Sequence, residues 1–150
     1  MDPRLRELLK TYAEAEYVVN PFGDEAVLFV LHVGKPSPDL DLLLQDEEDG
    51  GECWAFVTAF NPGSERLPDE VNRSAQERLL RRLENWGRGY WPGWGQSPDG
   101  RWREESVLVR GMSREEAVHL GRELGQVAVL VGEVGGVAEL VLCGNPAPSP

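Results

Sequence analysis

Cys53-Trp54-Ala55-Phe56-Val57-Thr58-Ala59-Phe60 is a mostly apolar run closed by Asn61-Pro62-Gly63, and the reading of these eleven residues decides the fold. A run this short, rich in aromatic and β-branched residues, predicts a strand covered on both faces. Asn-Pro-Gly forces a turn. Directly after it the longest helical pattern begins near Pro68, with Asp69 and Glu70 in the first turn, where carboxylates suit the positive end of the helix dipole. Val71, Ala75, Leu79, Leu83 and Trp86 give that helix an expected buried stripe, Glu77 and Arg81 pair one turn apart, and Gly87 ends it. A buried strand running straight into a helix requires a sheet with helices packed on it.

The same punctuation organises the rest of the chain. Asp2 and Pro3 open a first helix whose Leu5, Leu8, Leu9 and Tyr12 share one face. A short strand over 17–20 follows, then a turn at Asn20-Pro21-Phe22-Gly23-Asp24. Residues 26–33 are apolar on both faces and predict a second central strand. A brief helix over 37–44 turns Leu40, Leu43 and Leu44 inward. Residues 45–52 form an acidic loop, which cannot be an EF-hand because Gln45 and Phe56 fall where the first and last calcium ligands belong. Downstream, Tyr90–Gly95 and Arg101–Val109 read as a hairpin through Ser97-Pro98-Asp99-Gly100. Ser113 and Glu116 make a capping box for a helix that carries Ala117, Leu120 and Leu124 inward and ends at Gly125. A last hairpin, 128–132 with 137–143, turns at Gly135-Gly136. The predicted fold is a single α+β domain over 1–144, with a mixed, mostly antiparallel sheet of six to seven strands, three main helices and a flexible tail over 145–150.

Bulk properties narrow the function classes. At 150 residues, 41% hydrophobic and 27% charged, the chain has the size and composition of one globular domain. Its start has no apolar stretch of signal-peptide kind, and no run approaches the ~20 residues of a membrane-spanning helix. Cys53 and Cys143 sit in apolar runs without metal-ligand spacing, so buried reduced thiols in a cytoplasmic protein are expected. Thirteen of the 15 basic residues are arginine and no isoleucine occurs, which points to a GC-rich genome. Scarce Asn, Gln, Cys and Met fit a thermophilic source. A net charge of −11 argues against nucleic acid as a partner. Between Arg78 and Arg103, however, six arginines face two acids, leaving +4 there and −15 elsewhere.

Two groups of residues stand out as candidate sites. Thr58, Asn61, Asn72, Gln76, Glu105, Ser106 and Gln126 form a candidate polar cluster. Asn72 and Gln76 share a helix face, and Asn61 sits where a central strand gives way to a helix, a place where ligands bind open sheets. Period-2 alternation puts Glu105 with Val107 and Val109, so inward valines would make it a partly buried carboxylate. This cluster is expected either to tie loops to the sheet or to take a small polar ligand. The second group, Arg88, Tyr90, Trp91, Trp94 and Trp102, interleaves cations with aromatic faces. It is expected either to cover the sheet or to dock a protein partner, and a single strand of nucleic acid is the weaker option. Neither histidine completes a catalytic triad: His119 lies opposite the Ala117/Leu120 stripe, and His32 reads as a core or edge residue. Glu104 and Glu105 point to opposite faces and cannot form a dyad. No P-loop, nucleophile elbow, dinucleotide fingerprint or metal-ligand spacing is present. The expectation is therefore a non-catalytic domain without cofactor or metal, monomeric or a small homo-oligomer, with an enzyme using Glu105 and Ser106 as the less favoured alternative.

Several segments, in this order and spacing, resemble the bacterial family known as domain of unknown function 3293. They are Thr58-Ala59-Phe60-Asn61-Pro62-Gly63, Asn72, Gly95, Asp99-Gly100-Arg101-Trp102 and Glu104-Glu105-Ser106-Val107-Leu108-Val109. Gly111, Ser113-Arg114-Glu115-Glu116-Ala117, Leu120-Gly121 and Gly125-Gln126 complete the set. The resemblance runs roughly from Tyr12 to Val141, with Phe60 where tryptophan is the commoner residue. It implies a stand-alone domain. It implies no activity, because the family carries none.

Overall fold

A computed structural model describes residues 2–47 and 51–144. Helix α1 (Pro3–Glu14) leads into strands β1 (Glu16–Val19) and β2 (Phe29–Leu31), then α2 (Pro38–Asp46) and β3 (Cys53–Val57). Next come α3 (Asp69–Trp86), the hairpin of β4 (Tyr90–Gln96) and β5 (Arg103–Arg110), α4 (Arg114–Glu123), β6 (Ala128–Glu133) and β7 (Glu139–Leu142). The order of elements along the chain is the one that the sequence predicts. All seven strands join one sheet in the order β2-β1-β4-β5-β3-β6-β7, and every strand pair is antiparallel. Bridges from Val33 to Ala138 and from Pro36 to Val137 draw the two edges together, so the sheet curls.

The local signals act as their chemistry requires. The Asp2 side chain accepts from the Arg4 amide, and Ser113 and Glu116 form the reciprocal capping box. Gly87 ends α3 with φ 75°, the left-handed cap that glycine adopts without a Cβ penalty. At Gly93 the need is spatial: a Cβ there would lie 2.1 Å from the Val18 carbonyl oxygen.

Curling gives the sheet two cores. On one face Ala55, Val57, Val107, Val109, Val129 and Val131 pack under Leu79 and Leu83 of α3 and Ala117 and Leu120 of α4. Inside the curl, Tyr17, Val19, Leu31, Trp54, Phe56, Trp91, Leu108 and Leu130 pack with Leu40 and Leu44 of α2. Strand β3 is thus buried on both faces between β5 and β6, as its apolar run demands. Each fully buried large side chain contributes roughly 1.5–3 kcal/mol.

Three expectations are corrected. Residues 26–33 do not make a central strand. Strand β2 is only Phe29–Leu31, at the sheet edge, and Val27, Leu28 and Val30 face solvent. The buried stripe of α3 is Asn72, Gln76, Leu79 and Leu83, while Val71 and Trp86 are exposed. The two amides face inward because the backbone leaving β3 needs hydrogen-bond partners there. Finally, α2 runs to Asp46, so the acidic loop starts later; its residues 48–50, and the tail 145–150, lie outside the described residues.

Candidate functional site

Strand pairing of β3 stops at Val57, and the next six residues must satisfy their backbone groups by other means. Side chains from the surrounding elements do this. Thr58 donates its hydroxyl to the Glu105 carbonyl at 2.6 Å and accepts from the Phe60 amide. The Ala59 amide donates to Gln76 Oε1 at 2.9 Å, and the Asn61 amide to Asn72 Oδ1 at 2.9 Å. From the loop after α4, Gln126 donates to the Phe60 carbonyl at 2.9 Å, and the Gly125 carbonyl accepts from the Gly63 amide. Asn72 and Gln76 are both buried, so these bonds are made away from competing water.

Asn61 is the hub. Its backbone is left-handed, φ 48°, a conformation that asparagine tolerates better than most residues. Its Oδ1 accepts from the Leu67 amide and from Asn72 Nδ2, and its own Nδ2 donates to Glu104 Oε2 at 2.7 Å. Ser64, three residues on, is also left-handed, φ 62°, and its hydroxyl meets that of Tyr12 from α1 in a short hydrogen bond.

These contacts shape an open cleft of about 340 Å³ between α1, the 61–69 segment and the end of the β4–β5 hairpin. Tyr12, Asn61, Ser64, Arg66, Trp102 and Glu104 line it, with Arg101 and Arg103 on the hairpin side. A smaller cavity of about 50 Å³ lies behind it against Tyr17, Phe56, Ser106 and Gln126, and Tyr12, Trp102 and Glu104 line both spaces. Burial pushes the Glu104 carboxyl above its ordinary value, partly offset by the Asn61 hydrogen bond. Burial, and then the Glu104 charge, push the Tyr12 hydroxyl up to about 12. Tyr17, which donates to the Tyr12 carbonyl at 2.6 Å, is raised by burial and then by its neighbours Tyr12 and Glu104.

The structure brings Asn61, Asn72, Gln76 and Gln126 onto one segment but separates the carboxylate from them. Glu105 is exposed and ion-paired to Arg103 at 3.1 Å, because the sheet beyond Val107 is no longer covered on that face. Its neighbour Glu104 points into the curl, beneath Tyr12 and Trp102, and is the half-buried acid. Ser106 is buried and donates to the Glu104 carbonyl. Sequence reasoning missed Glu104, Ser64 and Arg66, and placed Tyr12 only in a helix stripe. Alternation does not single out Glu104, because it shares a face with Ser106 and Leu108 just as Glu105 shares one with Val107 and Val109.

The aromatic and basic residues of the hairpin are dispersed. Tyr90 packs on the α3 side and donates to Glu84, while Trp91 is buried inside the curl with Arg110 stacked 4.7 Å from its ring. Arg88 donates to the Gly111 carbonyl, pairs with Glu116 and lies 4.8 Å from the Trp86 ring. Arg103 stacks 3.9 Å over Trp94, and Trp102 belongs to the cleft. Among the described residues no cluster of His, Cys, Asp and Glu could hold a metal ion, and no helix is long and apolar enough to cross a membrane. Cys53 and Cys143 are both free, and His119 is exposed beside Glu123.

A family model described as "Protein of unknown function (DUF3293)" matches residues 57–129. Over these residues the chain is similar to that family. The DUF3293 span opens on the last residue of β3 and closes in β6, so it contains the whole 58–63 segment and the side chains of α3, β5 and the α4–β6 loop that hold it. Tyr12 and α1, which complete the cleft, fall outside it. No curated protein and no solved structure matches the chain.

Proposed function

We propose that this protein is a non-catalytic binding domain of the bacterial cytoplasm that takes a small polar ligand in the cleft between α1, the 61–69 segment and the β4–β5 hairpin. One observation carries this reading. The segment that forms the cleft wall is fixed by side-chain hydrogen bonds from α3 and from the loop after α4, yet Ser64, Arg66, Trp102 and Glu104 face open space. A wall held in place before a ligand arrives spends little binding energy on ordering. Its volume lies at the small-molecule end of the range for ligand sites, about 300–1,000 Å³. Two unpaired thiols, one of them buried, suit a reducing compartment.

A thermal-shift screen of water-soluble metabolites tests the reading. A true ligand stabilises the fold by about 2.7 kcal/mol at a hundredfold excess over its Kd. Arg66→Ala and Trp102→Ala should each remove that shift while leaving the unliganded melting temperature nearly unchanged for Arg66, which is exposed. A stabiliser that acts equally on wild type and both variants would place the ligand elsewhere and end the proposal.

A further inference from the structure

The lining of the cleft is electrically lopsided. Arg66, Arg101 and Arg103 stand against Asp69 and Glu104, in a chain whose net charge is −11. Among the described residues, Arg101 pairs with exposed Asp99 and Arg103 with exposed Glu105, both within two residues on the same hairpin, and water already screens such pairs; Arg103 also stacks over Trp94. Arg66 has no ion-pair partner among the described residues. Guanidinium groups are the side chains best suited to bind carboxylate or phosphate with two parallel hydrogen bonds.

Glu104 sets a second requirement. One of its oxygens accepts from Asn61, and the other accepts no hydrogen bond among the described residues. The Tyr17 hydroxyl donates to the Tyr12 carbonyl instead, and the Tyr12 hydroxyl shares a hydrogen bond with Ser64. An anion alone would meet the arginines and be repelled by this carboxylate. A molecule that also brings a donor satisfies both.

We infer, building on the cleft as the binding site, that its ligand is a small organic acid carrying a hydroxyl or amino group, the acid held by Arg66 with Arg101 and Arg103, the donor held by the open oxygen of Glu104. Citrate and tricarballylate, the same three-carboxylate skeleton with and without a hydroxyl, are suitable probes for calorimetric titration at constant ionic strength. Citrate is expected to bind about tenfold more tightly, the effect of one hydrogen bond to a charged acceptor. Glu104→Met should erase the difference between the two, and Arg66→Ala should weaken both by similar factors. Equal affinity of the two acids for the wild type, with Arg66 dependence retained, overturns the donor requirement and with it the inference. If neither acid binds at millimolar concentration while a neutral metabolite gives a Trp102-dependent thermal shift, the cleft remains the site and the acid class is wrong. Citrate binding that ignores Arg66→Ala, Trp102→Ala and Glu104→Met overturns the cleft and the inference together.

Discussion

Asn61 engages both its side-chain oxygen and its side-chain nitrogen, with Leu67, Asn72 and Glu104, and Asn72 returns the contact by accepting from the Asn61 amide. Replacing Asn72 with alanine leaves a partly buried amide and a carbonyl oxygen with fewer partners, which costs about 1–3 kcal/mol. Urea denaturation should therefore show a lower midpoint for Asn72→Ala at unchanged slope; an unmoved midpoint would mean that the Asn61 amide finds water without penalty. Glu104 carries the opposite energetic sign. Burial raises its carboxyl in the folded state, so the native protein holds that proton more tightly than the unfolded chain does. The stability this lends is complete below the ordinary carboxylate range and is lost as pH rises through the raised value. Once ionised, the group is a net cost. Glu104→Gln should match or exceed the wild-type melting temperature at pH 7, and the gap should close on acidification towards about pH 4. A variant that is less stable at pH 7 and recovers in acid contradicts the sign.

At the scale of elements, legibility followed how local the cause was. The capping box of α4, the glycine stop of α3, the Ser97–Gly100 turn and the doubly buried β3 all follow from short-range chemistry, and the structure has each of them. Ser113→Ala tests the first. It removes the acceptor for the Glu116 amide and should lower stability by about 1 kcal/mol, read by chemical denaturation, with the sheet intact by circular dichroism. No measurable loss would show that tertiary packing of Ala117 and Leu120 alone fixes the start of the helix. Two features were not local. Residues 26–33 are apolar enough for a core strand, but whether a strand has neighbours on both sides is set by sheet order, which places β2 at an edge. The inward face of α3 is half polar because the backbone beyond β3 requires amide partners, a demand that originates in a different segment.

For the whole molecule, the cleft depends on parts distant in sequence. The amides were legible as a group because Asn72 and Gln76 share one face of α3, while Asn61 and Gln126 sit in the segments that follow β3 and α4. The acid was not. Glu104 and Glu105 are adjacent and chemically identical, and alternation says only that they face opposite ways. Which one is covered is decided by α1 laying Tyr12 beside the hairpin and by the curl enclosing Tyr17 and Trp102. The same curl draws Val33 to Ala138 across the sheet edges, a closure with no counterpart in local patterning. Where a ligand sits is read most directly from an amide chemical-shift map of the ¹⁵N-labelled protein, titrated with the strongest stabiliser from the metabolite screen. The expected result is a cluster of perturbed amides over residues 61–67 and 101–104, together with the Trp102 indole. Perturbations centred instead on Tyr90, Leu80 and Arg73, or spread evenly over the surface, would contradict it.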